Sequence, residues 1–145
     1  MNVRVLDGPE VERVGAVLGL ARLYQGDGFY LVAWQGDEPL GHLHLALSDP
    51  PELQDVQVAG DHRRRGVARA LIAAAEREAR SRGFAALRVG VGIDNQPARA
   101  LYRECGYVDV GLEPVHVKGT IEIRTGPIDV DDTIITWEKL LRAAT

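Results

Sequence analysis

The sequence predicts one α+β domain, and three observations carry that reading. Short runs of branched and aromatic residues alternate with longer amphipathic stretches. One pair of such runs, "FYLVAWQ" (29–35) and "LGHLHLAL" (40–47), flanks the turn "GDEP", which is a hairpin signature. Two helical patterns each follow a strand-like run and each end at a glycine, as crossovers onto a single sheet do. The 145 residues suffice for one such domain with a substantial core.

In chain order, "VRVL" (3–6) reads as a short strand. "PEVERVGAVLGL" (9–20) places Val11, Val14, Val17 and Leu18 at helical spacing, with Pro9 in the first turn. After the hairpin, "LQDVQV" (53–58) reads as a strand with Leu53, Asp55 and Gln57 on one face and Gln54, Val56 and Val58 on the other. Residues 66–82 carry the strongest pattern. Ala68, Leu71, Ile72, Ala75 and Ala79 form an apolar stripe, Arg and Glu fill the other face, and Gly83 supplies the stop. "FAALRVGV" (84–91) reads as a buried strand. In "IDNQPARALYRECG", Asp94 or Asn95 caps a helix that tolerates Pro97 early and ends at Gly106. Its face is Ala98, Leu101, Tyr102 and Cys105. "YVDVGL" (107–112), "GTIEIRT" (119–125) and "DTIITWEKLL" (132–141) are the remaining strand candidates.

Composition narrows the function. Seventeen Lys and Arg against 21 Asp and Glu give a formal charge of 17 − 21 = −4. That disfavours a general nucleic-acid or membrane-surface role, since both call for a broad basic face. The single cysteine, Cys105, permits no internal disulfide and points to an intracellular setting. There is no apolar run of membrane-spanning length, and the N-terminus lacks the apolar core of a signal peptide, so a cytoplasmic protein is expected.

Against this acidic background "DHRRRGVA" (61–68) stands out. A strand ends near Val58, a turn follows, and a helix begins near Gly66. The first amides of a helix lack internal partners, and the helix dipole adds positive potential there. Gly66 presents no side chain to an approaching anion, Ala68 is small, and Arg63, Arg64 and Arg65 add full charges. Such a turn suits a pair of adjacent phosphates. The competing reading is a solvated basic turn. The Gly-Lys-Ser/Thr ending of a nucleotide P-loop and the three-glycine spacing of a dinucleotide fingerprint are both absent.

These residues carry a resemblance. "RRRGVA" fits the Gln/Arg-x-x-Gly-x-Gly/Ala signature of the Gcn5-related N-acetyltransferase (GNAT) superfamily. "NQPARALYRECGY" resembles its second motif through Asn95, Ala98, Tyr102, Gly106 and Tyr107. One helix and one strand lie between the two motifs, and the likeness covers residues 29–112. It implies a three-layer α/β sandwich with a mixed, mostly antiparallel central sheet and helices on both faces. It also implies transfer of an acetyl group from acetyl-CoA to a primary amine by direct attack in a ternary complex, with no metal.

By the same resemblance, the amides of Arg65, Gly66, Val67 and Ala68, with the side chains of Arg63 and Arg64, hold the pyrophosphate. The main chain of Val58 and the side chain of Asn95 meet the pantetheine arm, and Arg103 reaches the nucleotide end. Tyr102 stands where the family keeps a phenol near the thioester sulfur, as the acid for the departing thiolate. A packed aromatic is the other reading. Asp55 is the candidate base, with Glu52 and water as alternatives. His42 and His44 point the same way along their strand and read as surface or acceptor-lining side chains, since two histidines alone are poor metal evidence. Cys105 reads as a small core residue.

The likeness thins at both ends. About twenty residues separate the first strand from the hairpin, where the family has two helices over the acceptor. The stretch from Leu112 to Trp137 is long for a connecting hairpin, and Glu113, Glu122, Asp129, Asp131 and Asp132 concentrate negative charge there. Such a region attracts a cationic amine, or it is an ordinary solvated loop. The alternative function is an acyl-CoA-binding sensor or interaction domain without turnover. A homodimer through the tail strands is compatible with the sequence.

Overall fold

The computed structural model describes residues 1–6, 8–18, 28–60, 66–123 and 126–141. In chain order these form β1 (Asn2–Val5), a 3-10 turn (Gly8–Glu10) running into α1 (Val11–Leu18), β2 (Gly28–Gln35), β3 (Glu38–Ala46) and β4 (Glu52–Val58). Then come α2 (Val67–Ser81), β5 (Ala86–Gly92), α3 (Gln96–Glu104), β6 (Val108–Asp109), β7 (Val115–Ile123) and β8 (Gly126–Leu140). The described strands make one eight-stranded sheet in the order β1-β2-β3-β4-β5-β8-β6, with β7 paired to β8. Every pairing is antiparallel except β4 with β5. This is the mixed, mostly antiparallel α+β sheet expected from the sequence.

Residues opposite each other in a ladder share a face, so the register divides the sheet in two. One face carries Leu31, Leu43, Leu45, Leu53, Val89, Val91, Ile135 and Trp137, and α2 and α3 cover it. The α2 stripe is buried there as its spacing predicts, with Leu71, Ile72, Ala75 and Ala79 fully enclosed. Truncating Leu71 to Ala costs roughly 2–5 kcal/mol at a site packed this closely. The other face carries Tyr30, Val32 and Trp34, with Val14 of α1 packed on them.

Several expectations are corrected. β4 does not alternate through its length. Asp55 has a left-handed φ of 53°, and Gln57 pairs with His42 while Gln54 pairs with His44, so β4 spends one residue more than β3. This bulge inverts the alternation. Leu53 and Val58 therefore share the α2 face, and Gln54 and Gln57 share the other. His42 and His44 are buried, at 2% and 1% exposure. Strand β3 is interior, with helices over both faces, so its alternation does not report contact with water. Tyr30 meets both imidazoles edge-on, at 5.8 and 5.1 Å between centroids. Val17, counted in the stripe of α1, is exposed, and Val14 and Leu18 make the contact.

The tail differs most. β6 keeps only two residues of "YVDVGL". β7 begins at Val115, and β8 begins at Gly126 and runs for 15 residues. Residues 134–140 of β8 pair with β5, and residues 126–134 pair with β7, so the strand continues past the sheet as a two-stranded ribbon. What looked like an acidic loop is a strand pattern. Ile128 and Val130 lie on one face, and Asp129 and Asp131 lie on the other.

Candidate active site

The parallel ladder between β4 and β5 has only two rungs, Glu52 with Arg88 and Leu53 with Val89. The Asp55 bulge follows at once, and the two strands then part. A cleft of about 660 Å³ opens at this gap. Residues 56–58 of β4 form one wall, residues 66–69 at the start of α2 form another, and Asn95, Pro97, Ala98 and Leu101 of α3 close it.

The start of α2 is open by construction. Gly66 takes a left-handed conformation (φ 77°, ψ 10°), no side chain among the described residues caps the helix, and its first turn carries no acid. The first helical hydrogen bond runs from the Ala70 amide to the Gly66 carbonyl. The amides before Ala70 therefore have no partner within the helix. A Cβ built at Gly66 meets nothing within 4 Å among the described residues, so the glycine is there for its φ. Unsatisfied amides, the positive end of a helix dipole and open space beside an unpaired strand edge fit a diphosphate with an extended arm.

The sequence-expected cofactor residues divide accordingly. Val58, Gly66, Val67, Ala68 and Asn95 all line the cleft. Arg63, Arg64 and Arg65 lie outside the described residues. Arg103 is not among the lining residues; its guanidinium lies 5.6 Å from the centre of the Trp137 ring, and that of Arg99 lies 5.9 Å from it. Sequence reasoning missed Arg69, one helical turn beyond Gly66. It lines the cleft and pairs with Glu104 of α3, holding the two helices together. Helical periodicity from Gly66 was the signal available for it.

Tyr102 is buried on α3 at 7% exposure and packs in the core; it is not among the residues lining the cleft, although Leu101, which precedes it, is. Burial, with a small contribution from Cys105, pushes its phenol up to about 12, so it stays protonated and able to donate at neutral pH. Its ring packs edge-on against Tyr107 at 5.9 Å. Tyr107 donates to Glu76 Oε2 at 3.0 Å, and Lys139 donates to Glu76 Oε1 at 2.9 Å. Glu76 was assigned to the solvent face of α2, yet it is buried, at 6% exposure. It lies four residues after Ile72, inside the apolar stripe, and that spacing was the available sign. Cys105 is half-buried against the core, where burial raises its thiol's pKa; that suits a packing role and not a thiolate nucleophile.

Asp55 sits on the bulge beside Val56 and accepts a hydrogen bond from Gln57 Nε2 at 3.0 Å. Glu52 lies three residues earlier, its carboxyl raised by burial, while Gln54 and Arg88 oppose the rise. His42 is held at about 4 by burial, against a raising influence from the Asp55 backbone, so it is neutral at pH 7. Among the described residues no three His, Cys, Asp or Glu side chains converge as metal ligands do. Nor is any described helix long and apolar enough to cross a membrane.

Comparison with known proteins agrees with this geometry. Residues 8–107 match the acetyltransferase (GNAT) family. The uncharacterized N-acetyltransferase YsnE of Bacillus subtilis (strain 168) is 32% identical over 107 residues, covering 67% of this chain and 71% of that protein. Among solved structures, the ribosomal-protein-S18-alanine N-acetyltransferase of Escherichia coli superposes with a TM-score of 0.72 at 17% identity, covering 99% of this chain and 96% of that one. An aminoglycoside 6'-N-acetyltransferase complexed with coenzyme A gives 0.71 at 15% identity, covering 100% and 99%. The fold, the family match and the cleft at the parted strands converge: the chain belongs to the acetyltransferase (GNAT) family and is an N-acetyltransferase that uses acetyl-CoA.

Proposed function

We propose that this protein transfers the acetyl group of acetyl-CoA to a primary amine by direct attack within a ternary complex. The observation that carries the reading is the uncapped start of α2 facing a cleft along the unpaired edge of β4. The amides at Gly66, Val67 and Ala68 take the diphosphate, joined by Arg65 and the Arg63 and Arg64 side chains. The main chain of Val58 and the side chain of Asn95 take the pantetheine arm. This directs the thioester into the gap between β4 and β5.

The amine nitrogen attacks the thioester carbonyl carbon, a C–N bond forms, and the C–S bond breaks. Tyr102 gives its proton to the leaving thiolate and recovers one from solvent as product departs. Asp55, on the rim of the gap, takes the proton lost by the ammonium. A phenol kept protonated by burial suits the first role, and a carboxylate held by Gln57 suits the second.

The test is release of free CoA thiol with a panel of primary amines, for wild type, Tyr102→Phe and Asp55→Asn. We expect Tyr102→Phe to lower kcat by about 10²-fold with acetyl-CoA affinity unchanged. Full turnover in that variant removes the acid role. Asp55→Asn should lower kcat and erase the acidic limb of the rate profile; an unchanged profile removes the base role. Acetyl-CoA binding without turnover of any amine would instead mark a sensor.

A further inference from the structure

The edges of the sheet are not alike. β1 has four residues and β6 has two, and edges this short offer little to another strand. The β7–β8 ribbon has two longer ones. Ile134 pairs with Gly92 on one side and with Val115 on the other, so β5 and β7 lie on opposite edges of β8. Past Ile134 the edge on the β5 side carries Pro127, Asp129, Asp131 and Asp132. Proline cannot donate to a ladder, and a row of like charges repels a copy of itself, so this edge is guarded. The other edge is β7. It is nine residues long, has no proline and stays in register with β8 without a bulge. Among the described residues nothing pairs with its far side. Val115 on it is 59% exposed. A long, unguarded edge is a template for another strand.

The order of residues along β7 says which strand fits. "VHVKGTIEI" (115–123) has the same pattern from either end: apolar residues at 115, 117, 121 and 123, polar residues at 116, 118, 120 and 122, and Gly119 at the centre. In an antiparallel pairing with a second copy about Gly119, Val115 stands opposite Ile123 and Val117 opposite Ile121. His116 stands opposite Glu122 and Lys118 opposite Thr120, so the basic half of each strand lies along the acid-bearing half of the other. A slip of two residues one way sets Lys118 against Lys118, and a slip the other way takes the apolar partner from Val115. Gly119 falls on the two-fold axis, facing its own copy. Its φ of 121° favours glycine, and a Cβ there would meet nothing within 4 Å among the described residues. A strand glycine of this kind marks a place where another backbone comes close. The polar row is already balanced within one copy: Asp131 pairs with His116 at 2.9 Å, and Asp129 accepts from Thr120 at 2.6 Å. Pairing along the edge therefore strands no charge.

We propose that the protein is a two-fold homodimer in which β7 of each copy pairs antiparallel about Gly119, joining the two sheets edge to edge. The interface presents the same strand from both sides, so it closes at two copies. Nine residues in antiparallel register exchange about eight to ten main-chain hydrogen bonds. A typical interface carries about ten. Cross-strand apolar pairs then flank the axis on each side and cover Val115. This assembly is independent of the transfer reaction, and neither requires the other.

The test is sedimentation of the full chain over a range of micromolar concentrations, with amide hydrogen exchange read along the ribbon. Wild type should sediment at twice the mass of one chain. The β7 amides that point away from β8 should be protected in the dimer and released on dilution, while those bonded to β8 stay protected. Thr120→Lys keeps a partner within its own ribbon, since Asp129 lies opposite, but sets a second ammonium against Lys118 of the second copy. The two-fold applies the change twice, so the dimer dissociation constant should rise by about tenfold. Adding Lys118→Thr removes the repulsion and should restore the wild-type constant. Acetyl-CoA affinity should be the same in all three proteins. A monomer at every concentration overturns the proposal, as does an assembly larger than two. A dimer whose outward β7 amides exchange as fast as the monomer's overturns it too. So does a dimer indifferent to Thr120→Lys, or one that Lys118→Thr fails to restore.

Discussion

Two helix starts face the same cleft, and they are built in opposite ways. α3 satisfies itself: the Asn95 side chain accepts the Ala98 amide at 3.2 Å, and Pro97 in the first turn has no amide to satisfy. α2 has neither device. Its cap position is a left-handed glycine, no side chain among the described residues caps it, and its first turn has no acid. Capping adds about 1 kcal/mol to a helix, so α2 forgoes stability that α3 keeps. The difference separates a helix start that is finished by the fold from one left for an anion.

The comparison can be broken most forcefully at Gly66. Gly66→Glu puts a carboxylate where the diphosphate belongs, and acetyl-CoA affinity should fall by about 10²-fold or more by calorimetry. Gly66→Ala keeps the space but not the conformation. It should cost about 1–2 kcal/mol in urea unfolding, with a smaller loss of affinity. Affinity reduced as severely by Ala as by Glu would mean that the backbone geometry, not the charge, governs binding. At the other helix start, Asn95→Ala should cost about 1 kcal/mol of stability and weaken acetyl-CoA only a few-fold. A larger loss of affinity than of stability there would assign Asn95 mainly to the ligand.

The smallest effect concerns pH. Neither helix start holds the group whose burial opposes protonation, which is His42, packed against Tyr30 on the face that α1 covers. Its folded pKa of about 4 lies below its ordinary value near 6.5. Between those values the unfolded chain binds a proton that the folded chain refuses, so stability is full above pH 6.5 and is lost as pH falls toward 4. Unfolding measured at pH 7 and 5.5 should differ by about 1 kcal/mol from this group. His42→Gln should flatten that slope, and a slope that persists assigns it elsewhere.

The difference between the helix starts was legible in the sequence, because it is local. Asp94 or Asn95 before Pro97 announces a cap, which the structure assigns to Asn95, and Gly66 before Val67 and Ala68 announces the lack of one. The hairpin and the α2 stripe were legible for the same reason, since periodicity is a short-range property. What was not legible depends on neighbours distant in sequence. The bulge at Asp55 appears only when β4 is laid against β3. The burial of His42 and His44 follows from a helix on each side of β3. The β7–β8 ribbon was legible only in part: the sequence predicts strands over 119–125 and 132–141, but the stretch between, with Asp129 and Asp131, reads as a loop where β8 in fact begins at Gly126. Asp132 lays its carboxylate over Gly92, forty residues earlier in the chain, and no local pattern joins them.

The central claim is that the open start of α2 holds the diphosphate, and it is tested most directly by splitting the cofactor. Calorimetric titration of the wild type with acetyl-CoA and with S-acetylpantetheine, which keeps the thioester and arm but lacks the nucleotide and diphosphate, isolates that end. The account predicts micromolar binding of acetyl-CoA and a loss of about 10²-fold or more for S-acetylpantetheine, with Gly66→Glu closing the difference between them. Equal affinity for the two ligands, or a difference untouched by Gly66→Glu, would contradict it.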